Sequence, residues 1–264
     1  LCEWSNLSYC TVIFSNLGAN IIVVNDKPDG LNINHKAGSV YPKNLQSAVI
    51  SHNADIGIAF DGDGDRVIMV DEDGVLVDGD QLLYLIMQYY IKEGLTFGGV
   101  VGTYMTNLAF EEKCKMQSIP FVRADVGDRY VSEELDRRKW ILGGENSGHL
   151  LVKNLHSTGD GIISALQVLS FLTKNKISIK DALREIKLYP QVLINIPTEN
   201  KVNLKSKILK DAIKESEIIM KGMGRTLIRP SGTQPLVRVM TEGPVKKEVV
   251  KAAKFLTKTI EGLV

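Results

Sequence analysis

The hexad Asp61-Gly62-Asp63-Gly64-Asp65-Arg66 alternates three carboxylates with two glycines and runs into an arginine. Ahead of it lies Ile56-Gly57-Ile58-Ala59-Phe60, and behind it Val67-Ile68-Met69-Val70. Both runs are short, apolar and rich in β-formers. They predict two buried strands, with the hexad as a loop at a strand end. Gly62 and Gly64 permit a tight turn and keep bulk away, so the three carboxylates can converge. Converging carboxylates repel one another, and a hard divalent cation resolves the repulsion. Oxygen donors favour Mg²⁺ or Ca²⁺ over zinc or copper. Asp61, Asp63 and Asp65 are therefore the candidate metal ligands. An EF-hand would place aspartates at its positions one, three and five and Glu72 at twelve. Its sixth position takes glycine, however, and here holds Arg66, and its flanks are helices rather than strands. A solvated acidic turn is the simpler alternative, but it gives no reason for glycines interleaved between two buried strands.

The hexad sits in a chain of 264 residues, enough for one large domain or two to three small ones, and the hydrophobic share of 44% supports a real core. Lys plus Arg number 32 against 31 Asp plus Glu. This balance favours neither nucleic acid nor an anionic membrane as a partner. No apolar run reaches membrane-spanning length. The opening Leu1-Cys2-Glu3-Trp4-Ser5 shows neither a basic n-region nor an apolar core, so no signal peptide is expected. Cys2, Cys10 and Cys114 form no CxxC pair and suit reduced thiols in a cytoplasmic protein rather than disulfides or a zinc site.

Around the hexad the pattern alternates. A helix is expected over residues 7–17, stopped by Gly18, then a strand over Asn20 to Val24 and a polar loop from Asn25-Asp26-Lys27-Pro28-Asp29-Gly30 through Asn32-Ile33-Asn34. Pro42 opens a second helix with Leu45 and Val49 on one face, and this helix leads into the Ile56 strand. Helix, strand, helix, strand predicts a parallel α/β unit, in which ligands gather beyond the carboxyl ends of strands. Asp73-Gly74 marks a turn between short strands. Helices are then expected over Asp80–Tyr90, Thr106–Met116 and Asp128–Lys139, and Thr158-Gly159-Asp160-Gly161 opens another through Leu172. Strands are expected at 98–102, 120–122 and 141–142. This makes a second α/β unit over roughly 75–187. Beyond Tyr189-Pro190 come a strand (Val192–Ile196), a lysine-rich helix (202–219), two strands flanking 229–235 and a helix (Lys246–Ile260), which together suggest a small α+β domain.

Two further loops carry candidate chemistry. Arg229-Pro230-Ser231-Gly232-Thr233 reads as an anion cradle: a guanidinium fork, two hydroxyls and a glycine N–H. Its plainer reading is a β-turn whose hydroxyls bond their own backbone. In Gly143-Gly144-Glu145-Asn146-Ser147-Gly148-His149, Glu145 and Ser147 can grip neighbouring sugar hydroxyls, and His149 can move a proton near neutral pH. The alternative is a flexible turn with an ordinary histidine. Asp160 is expected only to cap a helix and Arg129 only to form a surface ion pair. Ser51-His52-Asn53 invites a serine–histidine nucleophile reading. It is read instead as structural, because adjacent helical residues point apart.

Taken together these loops resemble the α-D-phosphohexomutase superfamily, in particular its phosphoglucosamine branch. DGDGDR at 61–66 is similar to the family's metal loop, GGENSGH at 143–149 to its sugar loop, and RPSGTQP at 229–235 to its phosphate loop. Ala54 to Phe60, Gly30 to Asn34, Val126 to Val131 and Thr158 to Ile162 also look like that branch, so the resemblance covers essentially the whole chain. It implies two consecutive α/β phosphohexomutase-type domains (1–74, incomplete, and 75–187) followed by a small α+β C-terminal domain (188–264). It also implies Mg²⁺ on Asp61, Asp63 and Asp65, and a hexosamine phosphate bound by Glu145, Ser147, Arg229, Ser231, Gly232 and Thr233. Arg66 and His149 are the implied catalytic residues. The implied reaction interconverts glucosamine 6-phosphate and glucosamine 1-phosphate through a phosphoserine and a 1,6-bisphosphate. Mannose or glucose phosphates, or non-catalytic sugar-phosphate and Mg²⁺ binding, are the alternatives. Two departures stand out. Gln234 replaces a glutamate. The TASHNP-like motif carrying the family's phosphorylated serine is absent, so the resemblance implies a missing N-terminal domain and a chain inactive on its own.

Overall fold

The computed structural model describes residues 7–25, 29, 31–32, 34–198, 203–231 and 234–263. They fall into two compact units. One comprises Leu1–Thr106 with Lys113–Ile186, and the other Asn107–Glu112 with Lys187–Val264.

The first unit begins with α1 (Leu7–Asn16), which ends just before Gly18 at φ +88°. In α2 (Lys43–His52), preceded by Pro42, the i, i+4 pair Leu45 and Val49 is buried against Ala59, Ile68 and Val70. Those three belong to β1 (Gly57–Phe60) and β2 (Val67–Val70), which with β3 (Leu76–Val77) form an antiparallel sheet in the order β1-β2-β3. Helix α3 (Gly79–Lys92) starts at a capping box: the Asp78 carboxylate accepts the Gln81 N–H, and the Gln81 side chain accepts the Asp78 N–H. It is apolar nearly all round, with Leu82, Leu83, Leu85, Ile86 and Met87 fully enclosed, and so forms the centre of its core.

Next come β4 (Val100–Thr103), α4 (Leu108–Met116), β5 (Phe121–Ala124), α5 (Asp128–Arg138), β6 (Leu142–Gly144), β7 (Leu150–Val152), α6 (Gly161–Asn175) and the short α7 (Ile179–Ala182). The second sheet runs β5-β4-β6-β7. Strand β4 is parallel to β5 and β6, and β7 turns back antiparallel to β6. Asp160 caps α6 by accepting the Ile163 N–H, Arg129 pairs with Glu133 on the surface, and Cys10 and Cys114 are buried thiols outside any disulfide.

The second unit holds β8 (Gln191–Pro197), α8 (Lys207–Ile219), β9 (Arg225–Pro230), β10 (Leu236–Glu242) and α9 (Lys246–Glu261). Its antiparallel sheet has the order β8-β10-β9. Ile196, Val237 and Val239 from the sheet pack on Leu209, Leu256 and Ile260 from the helices. Glu242, fully buried, is satisfied by Arg225 and by the Gln191 amide.

Several expectations are corrected. The parallel pairing expected of the 20–24 and Ile56 strands is not found: β1 pairs antiparallel with β2 across the hexad, since six residues are too few for a crossover and close a hairpin instead. Residues 20–24 form no strand: the run has β-forming side chains, but no described strand pairs with it. The helix expected from 202 starts at Lys207, where Ser206 caps it; residues 201–202 lie outside the described residues. Ser51 and His52 do meet, Oγ to Nδ1 at 3.0 Å. Both bend back to the Ala48 carbonyl in the last turn of α2, so the contact is a helix-end device. Leu1 to Ser5, including Cys2, and residues 26–28, 30 and 33 of the polar loop lie outside the described residues.

Candidate functional site

The Phe60–Val67 pair closes the hairpin from which Asp61 to Arg66 project. Gly64, at φ +74°, makes the turn that a side chain would strain, and its N–H reaches the Asp61 carbonyl. The Arg66 N–H donates to Asp61 Oδ1 at 3.1 Å. One oxygen each from Asp61, Asp63 and Asp65 lies within 4.8 Å of the others, so the three expected ligands do converge. The Arg66 guanidinium is half exposed, its Nε 3.5 Å from Asp61 and 3.7 Å from Asp65, farther than a good hydrogen bond.

The electrostatics are those of a site short of positive charge. The Asp61 carboxyl is pushed up to about 6, first by burial, then by its hydrogen bond with Asp65 and by the charges of Asp65 and Asp63. Asp65 Oδ1 is buried with no hydrogen-bond partner. An orphaned carboxylate oxygen beside two converging carboxylates suits a hard divalent cation, and the residues fit Mg²⁺.

The Gly143–His149 turn joins β6 to β7. The Glu145 N–H bonds the His149 carbonyl, and the Gly148 N–H bonds the Glu145 carbonyl. Ser147 is exposed at the tip. Glu145 is half-buried, and its Oε1 accepts the Gly127 N–H at 3.0 Å. This turn is bonded to the acidic hairpin. The Val67 N–H donates to the Gly148 carbonyl at 3.0 Å, and Arg66 bridges His149. A third segment joins them where the Gly161 N–H donates to the Gly64 carbonyl at 2.9 Å. His149, 3% exposed, sets Nδ1 3.1 Å from Asp65 Oδ2. The three loop segments thus form one hydrogen-bonded cluster.

In the second unit the β9–β10 hairpin carries Arg229 and Ser231, two of the residues expected to form an anion cradle. Arg229 is the penultimate residue of β9, and the Ser231 N–H bonds the Leu236 carbonyl. Gly232 and Thr233 lie outside the described residues. Arg238 stands directly across from Arg229, and burial together with this second guanidinium pulls the Arg229 pKa down. Arg238 Nε is buried without a hydrogen-bond partner. Like charges directly opposite on a hairpin are destabilising unless an anion lies between them. Sequence reasoning missed Arg238. The signal was there, an arginine inside the apolar run Leu236-Val237-Arg238-Val239-Met240, but only the register shows what it faces. Also missed were the His149–Asp65 and Gly127–Glu145 bonds.

Comparison with known proteins supplies a family. The chain matches Phosphoglucomutase/phosphomannomutase, alpha/beta/alpha domain II over residues 8–74, alpha/beta/alpha domain III over 78–189 and the C-terminal domain over 193–258. It is 50% identical over 250 residues to a phosphoglucosamine mutase of Methylobacillus flagellatus, covering 94% of this chain and 55% of the relative. It is 49% identical over 230 residues to one of Neisseria meningitidis, covering 87% of this chain and 52% of the relative. It thus spans about half the length of the curated relatives it matches. Among solved structures, the N-acetylphosphoglucosamine mutase of Aspergillus fumigatus in complex with GlcNAc-6P and magnesium superposes with a TM-score of 0.79 at 21% identity, over 99% of this chain and 60% of that one. Among the described residues no helix is long and apolar enough to cross a membrane.

Proposed function

We propose, on the premise that the chain belongs to the phosphoglucomutase/phosphomannomutase family, that it is part of a phosphoglucosamine mutase. The reaction is interconversion of glucosamine 6-phosphate and glucosamine 1-phosphate by way of a phosphoserine and a 1,6-bisphosphate. The observation that carries the reading is the acidic hairpin with its three converging carboxylates, hydrogen-bonded to the Gly143–His149 turn. The identity to phosphoglucosamine mutases favours glucosamine over mannose or glucose as the sugar.

Asp61, Asp63 and Asp65 hold Mg²⁺, and the bound cation neutralises charge on the transferring phosphoryl group. Arg66, half exposed at the hairpin's end, steadies that group or the sugar ring. Glu145 and the exposed Ser147 orient sugar hydroxyls, with Gly127 fixing the Glu145 carboxylate. Arg229, Ser231, Gly232, Thr233 and the newly found Arg238 take a phosphate. The phosphoryl donor lies outside these 264 residues, which contain no TASHNP-like motif. The protein works in the cytoplasm, where its thiols stay reduced.

The test is a chimera in which the portion of the Methylobacillus flagellatus relative preceding domain II is joined ahead of Leu7. Turnover of glucosamine 6-phosphate is expected from the chimera and none from the 264-residue chain. Turnover by the chain alone sinks the assignment of the donor. A chimera that prefers mannose or glucose phosphates replaces the sugar, and a folded chimera active on no hexose phosphate sinks the reading as a whole. In the chain itself, Arg238→Met and Arg229→Met are each expected to weaken inorganic phosphate binding by about tenfold, the worth of one charged hydrogen bond, read by titration calorimetry.

A further inference from the structure

We infer that His149 is a positioning residue of the metal loop: its imidazole holds Asp65 in the orientation in which the three carboxylates meet, and Gly159 holds the imidazole in place. The inference rests on the Mg²⁺ reading above and departs from the proton-transfer role expected of this histidine.

A carboxylate only accepts, so the 3.1 Å contact with Asp65 Oδ2 requires the proton on His149 Nδ1. With Oδ2 engaged, Oδ1 is the Asp65 oxygen left for a cation, and it is the buried oxygen without a hydrogen-bond partner. Histidines or carboxylates that bond a metal's ligands fix ligand orientation in this way. The ring is 3% exposed, and its Nε2 is buried without a hydrogen-bond partner. A group that exchanges protons with a substrate needs access, and this ring is enclosed.

Gly159 accounts for the enclosure. A Cβ built there would lie 2.4 Å from His149 Cε1, 2.5 Å from Nε2 and 2.9 Å from Nδ1. The backbone at Gly159 is outside the left-handed region, so glycine is required for space and not for conformation. The flanking backbone fixes the same geometry: Gly148 bonds Val67 just after the acidic loop, and Gly161 bonds Gly64 within it. The Gly159-Asp160-Gly161 segment, which showed only a helix cap in the sequence, is therefore a backstop for the metal site.

The experiment is Mn²⁺ binding by the 264-residue chain, read by electron paramagnetic resonance, with Asp63→Asn as the control that identifies the site. His149→Ala is expected to weaken Mn²⁺ about tenfold or more. His149→Asn, whose amide nitrogen stands the same number of bonds from the backbone as Nδ1, is expected to restore most of the affinity. Gly159→Ala is expected to weaken Mn²⁺ to a similar degree while His149 is intact, with the circular dichroism of the chain unchanged. Unchanged affinity in His149→Ala overturns the proposal. Failure of His149→Asn to restore affinity overturns it too, since packing alone would then explain the loss. A wild-type chain that binds no Mn²⁺ overturns the metal reading itself and this proposal with it.

Discussion

Replacing Gly148 with alanine is expected to destabilise the first unit by about 3 kcal/mol or more, the sum of left-handed backbone strain and a steric overlap that nothing relieves. Gly148 has φ +94°, and a Cβ there would lie 2.2 Å from the Val67 carbonyl oxygen and 2.9 Å from its carbon. Both are backbone atoms of β2, held in a ladder and unable to swing aside. Urea denaturation of the variant measures the loss. Gly94→Ala supplies the comparison: φ is +64°, and a Cβ would meet nothing within 4 Å. That change isolates the conformational cost and is expected to lose about 1 kcal/mol. Equal losses in the two variants would show that the backbone contact between the acidic hairpin and the Gly143–His149 turn does not constrain the fold.

The second large effect is expected at the metal ligands. Asp63→Asn or Asp65→Asn is expected to weaken divalent cation binding by about a hundredfold, because each removes one full charge of three from the immediate shell. Stability of the cation-free chain is expected to stay level or rise in Asp63→Asn. Burial is the main cause of the raised Asp61 pKa, but the charges of Asp65 and Asp63 add to it, and the substitution removes part of that repulsion. Calorimetry with Mg²⁺ and thermal unfolding in chelator measure the two quantities. Undiminished Mg²⁺ affinity in both variants would move the cation away from this loop.

How much of this was legible in one dimension depends on range. Helices with strong apolar periodicity, such as α3, α6 and α9, were legible because burial of one face or of the whole surface is written in the spacing. The antiparallel pairing of β1 with β2 was dictated by their six-residue connection but was not read from it. Residues 20–24 show the opposite error: composition supplies a propensity, and a strand also needs a partner. The carboxylate triad was legible because its three members lie within five residues. The bonds that organise it were not. Val67 and Gly148, Asp65 and His149, and Gly64 and Gly161 are each joined across more than 80 residues. Gly148 and Gly159 are indistinguishable from turn glycines until their neighbours are known. Arg238 needed the register of β10 against β9 before it faced anything.

The closing pair of the acidic hairpin, Phe60 and Val67, has a consequence for the order of folding. A six-residue loop closes fast and at small entropic cost, whereas the Val67–Gly148 and Asp65–His149 bonds wait on closure of loops more than ten times longer. The carboxylates are therefore gathered early and anchored late. Until the anchor arrives, their mutual repulsion works against the hairpin, and a cation that favours the finished geometry draws the chain toward it by mass action. On the proposed Mg²⁺ site, cation supply and completion of the first unit's fold are thermodynamically linked through one short turn.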